Sequence, residues 1–190
     1  MSIVLQGSTS GSVTLQEPAV AGTTVLDLPA VSGTILTTGS SGQSIPKAAL
    51  PTGSVLQVVS AATATLTSTS STSFVDCTNV TASITPTSAN SKILVLITAS
   101  GLYKQSVSGQ AISLRVLRGA SEIAAQINNT YSTTQFDFVT ESGFVVLDSP
   151  ATTSSTTYKL QIRARVSGTV QINQDNASDV STITLMEIAA

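Results

Sequence analysis

The sequence predicts an all-β chain, an antiparallel β-sandwich head of jelly-roll type preceded by an extended N-terminal β arm. Short segments of alternating apolar and polar residues recur every 8–12 residues or so, the spacing of strands in sandwiches and barrels. Thr, Val and Ile, whose stiff side chains favour strands, are abundant in these segments. No stretch shows the periodicity of an amphipathic helix.

The head is predicted at residues 54–190, in about nine or ten strands. The segment Lys92–Ser100 (KILVLITAS) is the most apolar and is expected to lie centrally in a sheet, covered on both faces. The segment Tyr158–Val166 (YKLQIRARV) alternates, so its apolar residues are predicted to face the core. A turn is predicted at Glu141–Gly143, and the stretch Gly101–Gln110 is predicted to be a loop.

The arm is predicted at residues 1–39 and a Gly/Ser/Pro-rich linker at residues 40–53. The arm contains a repeat, because PAVAGT at Pro18–Thr23 returns as PAVSGT at Pro29–Thr34. Each copy follows alternating apolar residues, which is typical of short strands. Since so thin a ribbon cannot bury its apolar face alone, we expect it to stack on a partner. The residues predicted to bind that partner are Val13, Leu15, Pro18, Val25, Leu28, Pro29 and Ile35.

The charge of the chain is low and evenly spread. Charged residues make up 9% of the sequence, against about 25% in ordinary globular proteins. The net charge of −2 and the absence of a basic run disfavour nucleic-acid binding. Arg163 and Arg165 are two residues apart on a predicted strand and therefore share a face. We interpret them as a solvated strand face or an intersubunit salt bridge.

Catalysis and metal binding are not expected. The chain has no histidine, which removes the commonest general base and metal ligand. Cys77 is the single cysteine and is interpreted as a half-buried structural residue. The acidic pairs Asp137 with Glu141 and Asp175 with Asp179 have no diagnostic spacing, and the segment 173–179 lacks the pattern of a calcium loop. No catalytic, cofactor or metal site is therefore predicted.

Membrane association is not expected either. No stretch reaches the length of about 18 apolar residues that a membrane helix needs. The N-terminus lacks the basic and apolar regions of a signal peptide. The expectation is a soluble protein that is made in the cytoplasm.

The leader from Gly7 to Gly39 has the form GSxSGxxTLxxPxxAGTxxLxLPxxxGTxxTxG. It resembles the N-terminal segments of tailed-bacteriophage virion proteins, notably those of cyanophages and other marine phages. The resemblance extends over about the first 40 residues of the chain. It implies a capsid decoration (cement) protein or a short tail fibre, and a homotrimer with β-sandwich heads.

Two functions follow as hypotheses. The first is a trimeric decoration protein on the capsid surface, synthesised in the host cytoplasm, which binds the major capsid protein and stabilises the assembled shell. The alternative is a short tail fibre, docked to a tail protein, whose loops contact host surface glycans. The loops in question are Leu102–Gln110, Asn128–Gln135 and Ser149–Thr157, with Tyr103 and Tyr131 as candidate receptor contacts. Neither hypothesis involves a cofactor, a nucleic acid or a membrane.

Overall fold

The computed structural model describes residues 3–6, 9–10, 12–15, 50–134, 137–175 and 178–190. The chain divides into two compact units, Met1–Ser44 and Ile45–Ala190. Every regular element in the described ranges is a β-strand. Among these residues there is no helix of the length and apolarity that crossing a membrane requires.

The described part of the first unit is an antiparallel hairpin. Strand β1 (Ile3–Gln6) pairs with β2 (Ser12–Leu15), with Ile3 opposite Leu15 and Gln6 opposite Ser12. Of the predicted arm contacts, Val13 and Leu15 lie in β2. The other predicted contacts lie outside the described residues, as does the repeat; they are Pro18, Val25, Leu28, Pro29 and Ile35.

The second unit consists of two antiparallel sheets. Sheet 1 contains β3 (Val55–Thr63), β4 (Thr67–Thr69), β6 (Lys92–Lys104), β9 (Phe138–Asp148), β11 (Val170–Ile172) and β12 (Ser181–Ile188). Sheet 2 contains β5 (Val75–Ile84), β7 (Ile112–Arg118), β8 (Ser121–Asn129) and β10 (Thr156–Ala164). The predicted all-β class with an antiparallel two-sheet fold is confirmed.

The strand order of the second unit is that of a jelly roll. Sheet 1 runs β3-β12-β6-β9 with the short strands β11 and β4 continuing beside one end of β6, and sheet 2 runs β5-β10-β7-β8. Numbered along the chain, the eight long strands therefore have the orders 1-8-3-6 and 2-7-4-5. Successive long strands lie in different sheets, except for β7 and β8, which are neighbours in sheet 2. This is the pattern of the nested Greek keys of jelly rolls.

The core lies between the two sheets and is built from alternate residues of each strand. The predicted inward face of β10 is confirmed for Tyr158, Leu160, Ile162 and Ala164, which are fully buried. The predicted strand Tyr158–Val166 runs too far, because β10 ends at Ala164 and Val166 beyond it is half-buried. Sheet 1 contributes alternate apolar residues from its central strands, namely Ile93, Val95, Ile97, Ile183 and Leu185. Burying each large apolar side chain contributes about 1.5–3 kcal/mol, so this layer is the main source of stability.

One predicted interruption is absent and another begins four residues later than predicted, and a glycine lies at each. The turn predicted at Glu141–Gly143 is wrong, because β9 runs unbroken through it with Gly143 opposite Thr98. A Cβ at Gly143 would lie 3.1 Å from the carbonyl oxygen of Ile97, so this glycine permits close strand approach. Likewise β6 continues past Gly101, whose φ of +57° accompanies a register shift in the pairing with β9.

The sandwich has two distinct ends. The chain enters at one, the entry end, where Gly53 N donates to Ala189 O at 2.8 Å and Ala189 N donates to Ser54 O at 2.9 Å. The connections 85–91, 119–120 and 149–155 lie at this end, because they join strand ends that the registers place together. The segments 105–111 and 130–134 lie at the opposite, distal end.

Candidate functional site

The outward-facing side of sheet 1 carries a row of apolar side chains across four strands. Met186 of β12 lies between Val58 of β3 and Leu94 of β6, and Leu94 in turn lies opposite Leu147 of β9. Val58 and Leu147 are each 55% exposed. An antiparallel sheet with one wet face normally carries polar residues there. This row therefore departs from the expected pattern.

The next row combines apolar and hydroxyl side chains. Thr184 lies between Ser60 and Leu96, and Leu96 lies opposite Val145, which is 76% exposed. The Ser60 and Thr184 hydroxyls are 2.9 Å apart and hydrogen-bonded. We define the outer face of sheet 1 as these two rows: Val58, Met186, Leu94, Leu147, Ser60, Thr184, Leu96 and Val145.

The two rows that define the outer face of sheet 1 hold no charged side chain. Lys92, at the start of β6, flanks them at the entry end. Glu141 is exposed further along β9, beyond Gly143, and accepts a hydrogen bond from the Ser100 hydroxyl. Glu187 is fully buried, and Asp148 is bound to Arg118. Exposed apolar patches are enriched at protein–protein and ligand-binding surfaces. The strand at Lys92–Ser100 is predicted to be covered on both faces. Within one chain, only the face towards the core is covered.

The loops at the distal end form a second candidate surface. Gly109 N donates to Ser132 O at 3.0 Å, and the Ser108 hydroxyl donates to Thr133 O at 3.1 Å. We call residues 105–111 and 130–134 the distal loop cluster. Two of the three predicted receptor loops therefore meet, while most of the third, Ser149–Thr157, lies at the entry end.

The two tyrosines predicted as receptor contacts have different surroundings. Tyr103 lies in strand β6 and not in a loop, and its hydroxyl donates to Asp137 Oδ1 at 3.2 Å. Burial, together with this bond to a carboxylate, raises the pKa of Tyr103. Tyr131 lies in the distal loop cluster, is 50% exposed, and has the Arg165 guanidinium 4.8 Å from its ring centroid.

The outer face of sheet 2 is charged, in contrast to that of sheet 1. Lys159 Nζ lies 2.9 Å from Asp76 Oδ2, and Arg115 Nη1 lies 3.3 Å from Glu122 Oε2. Gln161 donates to Asp76 at 2.6 Å. These hydrogen bonds from Gln161 and Lys159 lower the pKa of Asp76. The outer face of sheet 2 thus carries charged side chains, which the two rows on the outer face of sheet 1 do not.

Cys77 and Asn173, which the sequence analysis considered for reactivity or metal binding, have contacts typical of structural residues. Cys77 is buried, and desolvation raises the pKa of its thiol, which disfavours the reactive thiolate. The side chain of Asn173 donates to the carbonyls of Thr63 and Thr65 and accepts from the Ser181 hydroxyl. Within the described ranges no three residues of the kinds His, Cys, Asp and Glu group as metal ligands.

Comparison with known proteins gives weak structural neighbours. No protein-family model matches the chain, and no curated protein matches it. It is similar to VP2 of infectious bursal disease virus in a subviral particle, with 16% identity and a TM-score of 0.36 over 72% of this chain and 39% of that one. T=1 particles of the same virus match with 16% identity and a TM-score of 0.37, over 98% and 44% of the two chains.

These structural neighbours are viral capsid proteins. The chain spans less than half the length of the chains it matches. At this level of similarity the comparison concerns the β-sandwich fold alone and carries no argument about function.

Proposed function

We propose that this chain is a virion structural protein, a homotrimeric decoration protein that binds the outside of an assembled capsid. The apolar outer face of sheet 1 is the observation that carries the proposal. Three heads packed through this face would bury Val145, Leu147 and Val58, which one chain leaves exposed. The proposal assigns no catalytic step to the protein.

A second copy of the chain is the partner that fits this face. The face has no charge, so identical copies meet there without like-charge repulsion. The hydroxyls of Ser60 and Thr184 are hydrogen-bonded to each other, so burial at an interface would leave neither without a partner. Full burial of three aliphatic side chains is worth about 1.5–3 kcal/mol each, enough to matter for association. We infer three copies, and not another number, from the resemblance of the leader to phage virion proteins.

The N-terminal arm supplies the proposed contact with the major capsid protein. Its strand β2 includes Val13 and Leu15, the first two residues of the predicted binding set. Binding only the assembled shell would stabilise that shell by mass action, without any chemical step. A chain with 9% charged residues suits a protein that is covered by neighbouring copies over much of its surface.

A short tail fibre is the alternative, and the distal loop cluster favours it. Tyr131 is half exposed in that cluster, at the end of the sandwich opposite to the entry of the chain. Exposed loops are where a receptor contact is expected. In this case the homotrimer through sheet 1 is kept, and the arm would dock to a tail protein.

Copy number in purified particles distinguishes the two. Quantitative mass spectrometry would compare this chain with the major capsid protein of particles that contain it. A molar amount comparable to the capsid protein supports decoration, because every part of the shell must then carry it. An amount far below that supports the fibre, and absence from the particles contradicts both functions.

A further inference from the structure

Arg163 and Arg165 differ from the other arginines of the head in their ion pairs. Arg115 is paired with Glu122 and Arg118 with Asp148. Within the described part of the chain, no carboxylate forms an ion pair with Arg163 or Arg165. Arg163 is the next-to-last residue of β10, and Arg165 follows directly after the end of that strand, towards the distal end. Two positive charges without a described carboxylate partner therefore lie two residues apart in the chain at this end of sheet 2.

Aromatic rings hold both guanidinium groups in place. Arg163 Cζ is 4.8 Å from the centroid of Phe74, a ring that Arg115 Cζ also contacts at 4.2 Å. Arg165 Cζ is 4.8 Å from the centroid of Tyr131. Such stacking of a cation on an aromatic ring favours one position of the guanidinium. Arg165 Nη1 also donates to Gly109 O at 2.7 Å, which ties it to the distal loop cluster.

The backbone beneath Arg165 is equally well fixed. The fully buried Gln110 accepts from the backbone N–H groups of Arg165 and Val166 through Oε1, at 3.1 and 3.2 Å. Its Nε2 donates to Gly168 O at 2.9 Å. Arg165 thus lies on a well-fixed backbone, and Arg163 lies within strand β10. A ligand would therefore meet both with little loss of backbone conformational entropy.

Most guanidinium donors of the pair are left without a protein acceptor. An arginine has five N–H donors. Those of Arg163 have one contact in the described chain, a 3.4 Å bond from Nη1 to Thr72 O, and its Nε is buried without an acceptor. Planar guanidinium groups match the oxygens of carboxylates and sulfates in a bidentate manner. The pair is therefore suited to an oxyanion.

We propose that Arg163, Arg165 and Tyr131 form a binding site for an anionic saccharide, one that bears carboxylate or sulfate groups. The half-exposed ring of Tyr131 supplies apolar surface beside the Arg165 guanidinium. The hydroxyls of Ser108 and Ser132 in the distal loop cluster donate to loop carbonyls, which leaves their oxygens as neutral acceptors. Nucleic acid fits less well, because two guanidiniums on a chain of net charge −2 give no extended basic track. The proposal goes beyond the assembly role.

The test is calorimetric titration of the full chain with three polysaccharides. Alginate presents carboxylates, dextran sulfate presents sulfates, and dextran presents neither. We expect binding to at least one anionic polymer and none to dextran. The variant R165Q should bind it about tenfold more weakly, as expected for loss of one charge-assisted contact. Y131A should also weaken it, whereas K159Q, which changes the net charge equally on the same sheet, should not.

Three results would overturn the proposal. One is no binding to either anionic polymer. Another is an equal loss in R165Q and K159Q, since this indicates diffuse attraction to the sheet. The third is binding of poly-glutamate as tightly as the saccharides with no effect of Y131A, which indicates an acidic protein as the partner. The oligomeric mass of R165Q is measured in parallel. If it equals that of the unaltered protein, weaker saccharide binding by R165Q reflects the binding site and not dissociation of the trimer.

Discussion

Leu96 and Val145 lie directly opposite each other on adjacent strands of sheet 1, and both point away from the core. Cross-strand aliphatic pairs of this kind normally stabilise a sheet by packing under another layer. Here the inward face of the same strands is already covered by sheet 2, with Val95 and Ile97 buried. The outward pair is therefore available to another chain.

The first prediction concerns Val145→Asp. Because Val145 is 76% exposed, the substitution should leave the fold of one chain intact, with an unfolding midpoint close to that of the unaltered protein. A buried, unpaired carboxylate at a subunit interface is strongly unfavourable, so the trimer should dissociate to monomers. Light scattering coupled to size-exclusion chromatography measures the change.

The matched control for Val145→Asp is Ile127→Asp. Ile127 is 52% exposed and lies in β8 of sheet 2, so the same chemical change is made away from the outer face of sheet 1. We expect this variant to keep the oligomeric mass of the parent. Dissociation by both substitutions to the same degree would show that sheet 1 is not the interface.

The second prediction concerns Tyr158→Phe. The fully buried Tyr158 donates its hydroxyl proton to Asp148 Oδ2 at 2.7 Å, and Arg118 Nη1 contacts both oxygens of Asp148, which joins β10 of sheet 2 to β9 of sheet 1. Loss of this bond should lower the free energy of unfolding by about 1–2 kcal/mol in urea denaturation. Tyr103→Phe, which removes a longer and exposed bond to Asp137, should cost clearly less. Equal losses would contradict the role given to Tyr158.

The third prediction concerns pH and Glu187. Burial raises the pKa of Glu187, but hydrogen bonds from Thr87 and Gln57 to the carboxylate lower it by more, so the pKa lies below its ordinary value. A lowered pKa stabilises the fold above the unfolded value of about 4.3, and this contribution is lost as the pH falls through the folded value.

Glu187→Gln should therefore flatten the acid limb of the stability curve. Urea unfolding at a series of pH values from neutral to acid measures that limb. Glu122→Gln is the control, since it removes a carboxylate that is 47% exposed. If the stability of Glu187→Gln falls with pH as steeply as that of the unaltered protein, Glu187 is not responsible for the acid sensitivity.

The fourth prediction compares two glycines of nearly equal φ. Gly101 (+57°) and Gly119 (+56°) both adopt the left-handed conformation. A Cβ at Gly101 would overlap the Asp179 carboxylate, whereas one at Gly119 would meet open space. Alanine at either site costs backbone strain, and at Gly101 it should cost at least about 1 kcal/mol more in unfolding free energy. Indistinguishable losses would mean that the Asp179 contact is without effect.

The sequence was sufficient for the fold class because alternation reports directly on which side of a strand is buried. The inward residues of β10 were identified in this way. The wrong predictions are those at glycines, because glycine occurs both in turns and inside strands. Gly143 permits close approach of a strand to Ile97, and Gly101 accompanies a shift in register, yet both residues read as turns in a linear sequence.

The candidate surfaces were harder to predict, because they depend on residues that are distant in the chain. The run Lys92–Ser100 indicated burial on both faces, but a sequence does not say whether the second cover is the same chain or another. Phe74 and Arg163 are brought together only by the pairing of β5 with β10, so no local motif signals their stacking. Tyr103 falls in the segment predicted as a loop, Gly101–Gln110, but β6 extends to Lys104 and includes it.

The oligomeric mass of the full chain tests the central claim most directly. Size-exclusion chromatography with light scattering, over a range of protein concentrations, measures it without reference to particle or host. The proposed assembly through the outer face of sheet 1 predicts three times the chain mass of 19.3 kDa. A mass of one chain at every concentration would contradict it and leave the exposed Val145 and Leu147 unexplained.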